Sequence, residues 1–191
     1  MLKRRKIMAI GIKVKKAEGD YDLGASKFFG DPTVPMGWEE EFYDDEMFFA
    51  QIRLADIAHL DTKNKLPHTG YLYLFIHTEG GHYDLLADVK YHDGEPEVVL
   101  DQFNAQVEGY EQFGEAYLME FEQVDDDEIC TKLLGNPSDW NYEEAPPKML
   151  LQFDPLDNDM GFLSFLDGFV CFFYGDDEND LEEVYLQEEF S

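Results

Sequence analysis

Apolar and polar positions along this chain follow the period of strands far more often than that of helices. Ile10, Ile12 and Val14 alternate with Gly11, Lys13 and Lys15, the two-residue period of a half-buried strand. Residues 47–54 are almost continuously apolar, and the same period puts Phe48, Ala50, Ile52 and Leu54 on one face and Phe49, Gln51 and Arg53 on the other. Residues 71–76 are bulky on both faces and predict a central strand covered on both sides. Further strands are expected over 87–92 and 97–100, joined by an Asp93-Gly94 turn, and over 117–121. Residues 55–60 read as a short helix or turn, residues 125–128 as a solvated acidic run that leads into a short helix through Leu134 stopped by Gly135 and Pro137, and residues 176–184 predict a helix or strand. Pro32 and Pro35 make residues 26–38 an ordered, non-helical crossing, with Phe28, Phe29 and Trp38 as core anchors, after a polar loop over 17–25.

One pattern occurs twice. Phe48 to Arg53 aligns with Met149 to Asp154, placing Gln51 over Gln152, and Gly70 to Ile76 aligns with Gly168 to Tyr174. Each copy is an apolar strand with a central glutamine, a polar connector and a second apolar strand opened by glycine. The expectation is an α+β, strand-rich fold in which two related sheet modules from an internal duplication pack into one domain. That domain spans 1–191, with halves at 26–100 and 101–191 and a basic strand and loop over 1–25.

Charge changes the picture more than composition does. The net charge is −29, with 44% apolar and 15% aromatic residues, enough to bury a core. Seven bases and no acid lie in residues 1–16, and initiation at Met8 would remove most of that cluster. The remainder holds seven bases against 43 acids, a balance of −36. Such a field repels nucleic acid and acidic lipid and attracts a basic protein or cations. Cys130 and Cys171 make no disulfide framework, Cys171 reading as a buried thiol, and no stretch approaches a membrane span, so a cytoplasmic location is expected.

Ser26-Lys27-x-x-Gly30-x-Pro32 with Pro35 and Trp38 resembles the opening signature of the YwqG-like family, a bacterial domain family of unknown function. Ala50-Gln51-Ile52, Leu66-Pro67-x-x-Gly70-x-Leu72-Tyr73-x-Phe75, Leu133-Leu134-Gly135-x-Pro137 and Leu150-Leu151-Gln152-x-Asp154 follow in the family's order. The strand from Gly168 and Asp180-Leu181 resemble its closing block, so the likeness covers residues 26–190. The family commonly has a glycine pair where this chain has Phe29-Gly30, and a longer, helical N-terminal region. The resemblance implies a mixed α+β fold with internal duplication and no activity. Some members resemble or neighbour components of bacterial toxin–immunity systems.

No constellation carries recognisable catalysis. His77, His82 and Asp84, with Glu79 and His92, are metal-ligand types at no closed zinc spacing. Asp154, Asp157 and Asp159 have calcium-like density without the later bidentate glutamate, so no metal and no cofactor are assigned. Gln51 and Gln152 either satisfy neighbouring backbone or line a cleft between the halves. Ser26-Lys27 lacks the companions of a nucleophile and its base, and Lys27 is expected to pair with carboxylates. The acidic runs remain, and the partner-binding candidates are Asp44, Asp45 and Glu46, Asp125, Asp126 and Asp127, and Asp176 and Asp177. Phe42, Tyr43, Tyr110 and Tyr117 are interleaved as anchors. The leading expectation is a non-enzymatic acidic protein that captures a basic protein, a toxin in an immunity-type role being one such partner. The alternative is a small-molecule or divalent-metal-dependent enzyme with a cleft between the repeats.

Overall fold

The computed structural model describes residues 8–42, 45–78, 85–106, 111–138, 145–157 and 169–189. Their strands are β1 (Met8–Lys16), β2 (Lys27–Phe28), β3 (Thr33–Val34), β4 (Met47–Arg53), β5 (Tyr71–Thr78), β6 (Leu85–His92), β7 (Val98–Val99), β8 (Tyr117–Asp125), β9 (Lys132–Leu133), β10 (Met149–Phe153), β11 (Phe169–Phe173) and β12 (Tyr185–Glu189). The chain divides into two compact units, Val14–Glu120 and Met1–Lys13 with Phe121–Ser191. β1 and β8 each contribute one end to each unit.

The fold is mostly β, which corrects the α+β expectation. Among the described residues the one α-helix is α1 (Leu54–Ile57), and the other helical pieces are short 3-10 turns such as Asn104–Gln106 and Leu181–Glu183. The short helix or turn expected over 55–60 is a single helical turn at 54–57, with Leu54 and Ile57 buried and the Asp61 carboxylate accepting the Leu66 amide. The short helix expected to follow the 125–128 acidic run through Leu134 does not form. Leu133 is drawn into strand pairing with Ile10 on one side and Leu151 on the other, and Leu134 has φ 60°, which ends any helix. Two duplicated sheet modules do not emerge either. The β3–β7 ribbon and the 3-10 turns at 104–106 and 111–114 belong, among the described residues, to the Val14–Glu120 unit alone.

Within Val14–Glu120 the strands pair antiparallel in the order β8-β2-β4-β5-β6. A bulge between Phe48 and Ala50 breaks the simple alternation. Phe48 stands opposite Phe75, Gln51 opposite Tyr73 and Arg53 opposite Tyr71, so Phe48, not Phe49, shares the Gln51 face. Asn104 holds the bulge open: its Oδ1 accepts the Phe48 amide (2.8 Å), and its Nδ2 donates to the Phe48 (3.0 Å) and Phe113 (3.1 Å) carbonyls. Phe48, Tyr71, Tyr73, Phe75 and Val34 form a core covered by Trp38, Phe42, Val98, Leu100 and Phe103. Phe28, Phe29, Phe49 and Phe113 pack ring against ring elsewhere in the unit. Each such burial stabilises by about 1.5–3 kcal/mol, so these rings fix the frame on which the shorter strands hang.

In the other unit the order is β12-β11-β10-β9-β1. β10 carries its own bulge, between Met149 and Leu151, and Met149, Cys171 and Phe173 cluster with Phe169. No helix among the described residues is long and apolar enough to cross a membrane.

Candidate functional site

β2 is only two residues long because Phe29 and Gly30 turn the chain through positive φ, 56° and 72°. Within it Lys27 pairs with Gln51 on one side and Leu118 on the other, which sets its side chain on the Gln51 face. Lys27 is 1% exposed. Among the described residues its ammonium has no hydrogen bond and no ion pair, and Nζ lies 5.0 Å from the centroid of the Tyr21 ring. Burial lowers its pKa to about 8, against the opposing pull of Asp31 and Asp22. The carboxylate pairing expected for Lys27 is therefore absent among the described residues; the carboxylates act on it through space.

A cavity of about 310 Å³ opens at this lysine, walled by Gly19, Asp20, Tyr21 and Leu23 from the segment before β2, by Lys27, Asp31 and Thr33, and by Val99 of β7. Gln51 holds the walls. Its Oε1 accepts the Thr33 amide (3.0 Å), and its Nε2 donates to the carbonyls of Leu23 (3.1 Å) and Ala25 (3.2 Å). The segment is also pinned from behind. Asp22 forms a 2.6 Å ion pair with Arg53, whose Nε donates to the Tyr71 hydroxyl, which in turn donates to Glu95. This pair and the Gly24 amide hold the Asp22 carboxyl below its ordinary range. Asp31 is half-buried, accepts the Phe103 amide, and has its pKa raised, mainly by burial. Thr33 is 1% exposed and its hydroxyl has no hydrogen-bond partner among the described residues. Lys27 and Thr33 thus both line the cavity without a hydrogen bond from either polar side-chain atom to protein among the described residues: the Thr33 hydroxyl is fully buried, while the Lys27 side chain is buried along its stem with its ammonium facing the cavity, an arrangement that costs free energy unless something else meets the charge.

The same local turn occurs a second time, and there both groups are satisfied. Lys27-Phe28-Phe29-Gly30-Asp31-Pro32 has its counterpart in Lys132-Leu133-Leu134-Gly135-Asn136-Pro137, with Leu134 at φ 60° and Gly135 at φ 81°. Lys132 pairs with Gln152 as Lys27 pairs with Gln51. The Gln152 amide is spent locally, donating to the Cys130 carbonyl (2.8 Å) and Ser138 Oγ (2.7 Å) and accepting the Ser138 amide (2.7 Å). Lys132, equally buried, donates to the carbonyls of Asp126 (2.8 Å) and Glu128 (2.7 Å). Ser138, at the position matching Thr33, donates to that same Glu128 carbonyl. In one turn, then, the 126–128 segment closes over the lysine and the hydroxyl; in the other, a cavity stands in that place. Sequence reasoning missed this site, although the recurrence of Lys-x-x-Gly-x-Pro at an interval of 105 residues was available to it.

The acidic candidates fall in different surroundings. Asp44 lies outside the described residues. Asp45 is partly buried, and Glu46 is 1% exposed and so is no surface residue. Asp125 and Asp126 are half-buried, Asp126 accepting from Asn136, while Asp127, Asp176 and Asp177 are exposed. Asp177 has its pKa lowered by the amide and side chain of Asn179. Asp45 and Glu46 belong to one unit and the five from 125 to 177 to the second. Of the aromatic anchors, Phe42 packs on Phe75 and Phe103, Tyr117 is half-buried in β8, and Tyr43 and Tyr110 lie outside the described residues. His82, Asp84 and Asp159, from the two metal-like loops, also lie outside them. Asp154 and Asp157 serve as local acceptors, for the amides of Leu156 and Thr131 respectively.

No curated protein matches the chain. Residues 26–188, from the serine just before β2 into the last strand, match a family model described as a domain of unknown function (DUF1963), and the chain belongs to that family.

Proposed function

We propose that the Val14–Glu120 unit is a small-molecule-binding domain whose ligand seats against Lys27. One observation carries this reading: Lys27 is buried on a cavity wall without a protein partner, whereas Lys132 in the matching turn is capped by two carbonyls. Burying an unpaired ammonium is costly, and a ligand that hydrogen-bonds it recovers that cost. The reading assigns binding and no catalysis. To test it, wild-type protein and Lys27→Met are incubated with a polar metabolite extract, desalted and analysed by native mass spectrometry. A small molecule retained by the wild type and absent from the variant is the expected result. An identical spectrum from both proteins would refute it.

A second reading has its own support. Asp127, Asp176 and Asp177 are exposed in one unit together with the apolar Ile129 and Leu156, 59% and 81% exposed, which suits capture of a basic protein with apolar anchoring. The finer likeness to the YwqG-like family, an immunity-type role in a bacterial cell and a cytoplasmic location belong to the same proposal. A partner complex whose affinity is unchanged between low and high salt would sink it.

A further inference from the structure

This inference rests on the ligand-binding reading and narrows the ligand. The cavity wall carries one ammonium, on Lys27, and two carboxylates, on the half-buried Asp31 and the exposed Asp20. Asp22 is already engaged by Arg53. A simple anion would gain Lys27 but would meet Asp20, Asp31 and the field of a chain with net charge −29. A simple cation would meet Lys27. A ligand bearing both charges close together escapes both penalties. Two further walls, Leu23 and Val99, are apolar and unusually exposed, at 54% and 39%, and so offer contact to a hydrocarbon group. The volume of about 310 Å³ lies at the small end of ligand sites, which suits a metabolite of few atoms.

We infer that the cavity takes a small zwitterion of the α-amino-acid type with an apolar side chain, its carboxylate on Lys27 and its ammonium towards Asp31 and Asp20. The Lys27 ammonium, which lines the cavity without a protein hydrogen bond or ion pair among the described residues, is a charged donor, as a carboxylate requires. Gln51 takes no part in contact with ligand; it is a positioning residue that fixes Leu23 and Thr33 relative to Lys27.

The test is calorimetric titration of the full chain with the standard L-amino acids one at a time, with propionate and ethylammonium as the single-charge controls. At least one apolar amino acid is expected to bind, with the controls at least about tenfold weaker, the loss of one charge-assisted contact. Lys27→Met and Asp31→Asn should each weaken binding by a similar factor, with unchanged circular dichroism as the check on folding. Binding should also weaken as pH rises through about 8, where Lys27 loses its proton. Propionate binding as tightly as an amino acid, with the same dependence on Lys27, would overturn the zwitterion inference while leaving the ligand-binding reading in place. An absence of binding by every amino acid would overturn it too. The metabolite-retention experiment decides the broader reading separately.

Discussion

Replacing Lys27 with methionine should stabilise this protein, and the same change at Lys132 should destabilise it. Methionine keeps the length and apolar bulk of the lysine stem and removes only the charge. In the folded chain the Lys27 amine titrates near 8 instead of 10.5, because burial disfavours its charged form. At 1.36 kcal/mol per pH unit, that displacement opposes folding by about 3 kcal/mol at neutral pH. The folded-state pKa lies below the unfolded one, so the unfolded chain binds more protons between about pH 8 and 10.5. The penalty is therefore complete below pH 8 and gone above 10.5. Lys27→Met should gain roughly 2 kcal/mol at pH 7, a rise in Tm of about 4–8 °C for a chain of this size, and the gain should vanish by about pH 10.5. Lys132 also has its pKa lowered by burial, but its ammonium satisfies the Asp126 and Glu128 carbonyls. Each bond to a charged donor is worth about 1.5–3 kcal/mol, so Lys132→Met should lose about 2 kcal/mol after the relieved burial is offset. The assay is urea unfolding of both variants and wild type, followed by circular dichroism, at neutral and alkaline pH. A Lys27→Met protein less stable than wild type at pH 7, or a stability difference that does not change with pH, would refute the reasoning.

The other predictions come from individual residues. A Cβ on Gly30 would lie 2.7 Å from the Ala116 Cβ and 3.0 Å from its Cα, at φ 72°, so Gly30→Ala should cost about 2–4 kcal/mol by denaturant unfolding. Gly19→Ala, with similar φ and open space around it, should cost only about 1 kcal/mol. Asn104→Ala removes three hydrogen bonds to buried backbone, although the Phe113 carbonyl keeps the Gly30 amide, and should cost about 2–3 kcal/mol, with hydrogen exchange at the Phe48 amide accelerated well beyond its neighbours. Burial pushes the Cys130 thiol up to about 11, so its alkylation at pH 8 should be at least tenfold slower than that of a free thiol, and rapid labelling would show that the 128–132 segment opens.

Strand positions were legible because their causes are local. The apolar runs at 47–54, 71–76 and 149–153 could be satisfied only by burial on both faces, and β4, β5 and β10 are buried along nearly their whole described length. Faces were less legible, because one inserted residue at each bulge transfers a side chain across the sheet. Phe48 and Phe49 exchange roles for that reason, and no period in the sequence marks it. The helix expected before Gly135 failed because a glycine and a proline close a strand-end turn as readily as a helix. Which of the two forms was decided by Ile10 and Leu151, far away in the chain, offering hydrogen-bonding edges to Leu133.

Sequence alone determined that this chain buries a strand-rich core, that its surface is strongly negative, and that Gln51 and Gln152 occupy matching positions. All three follow from residue type and spacing, which no folding can alter. Only tertiary structure decided what stands over each lysine. Lys27 and Lys132 lie in nearly the same sequence motif and the same backbone turn, yet one meets two carbonyls from residues 126–128 and the other a cavity wall. The difference lies in segments outside the motif, because an ammonium's environment is set by whatever packs within a few ångströms of it, and in a folded chain those groups arrive from elsewhere in the sequence.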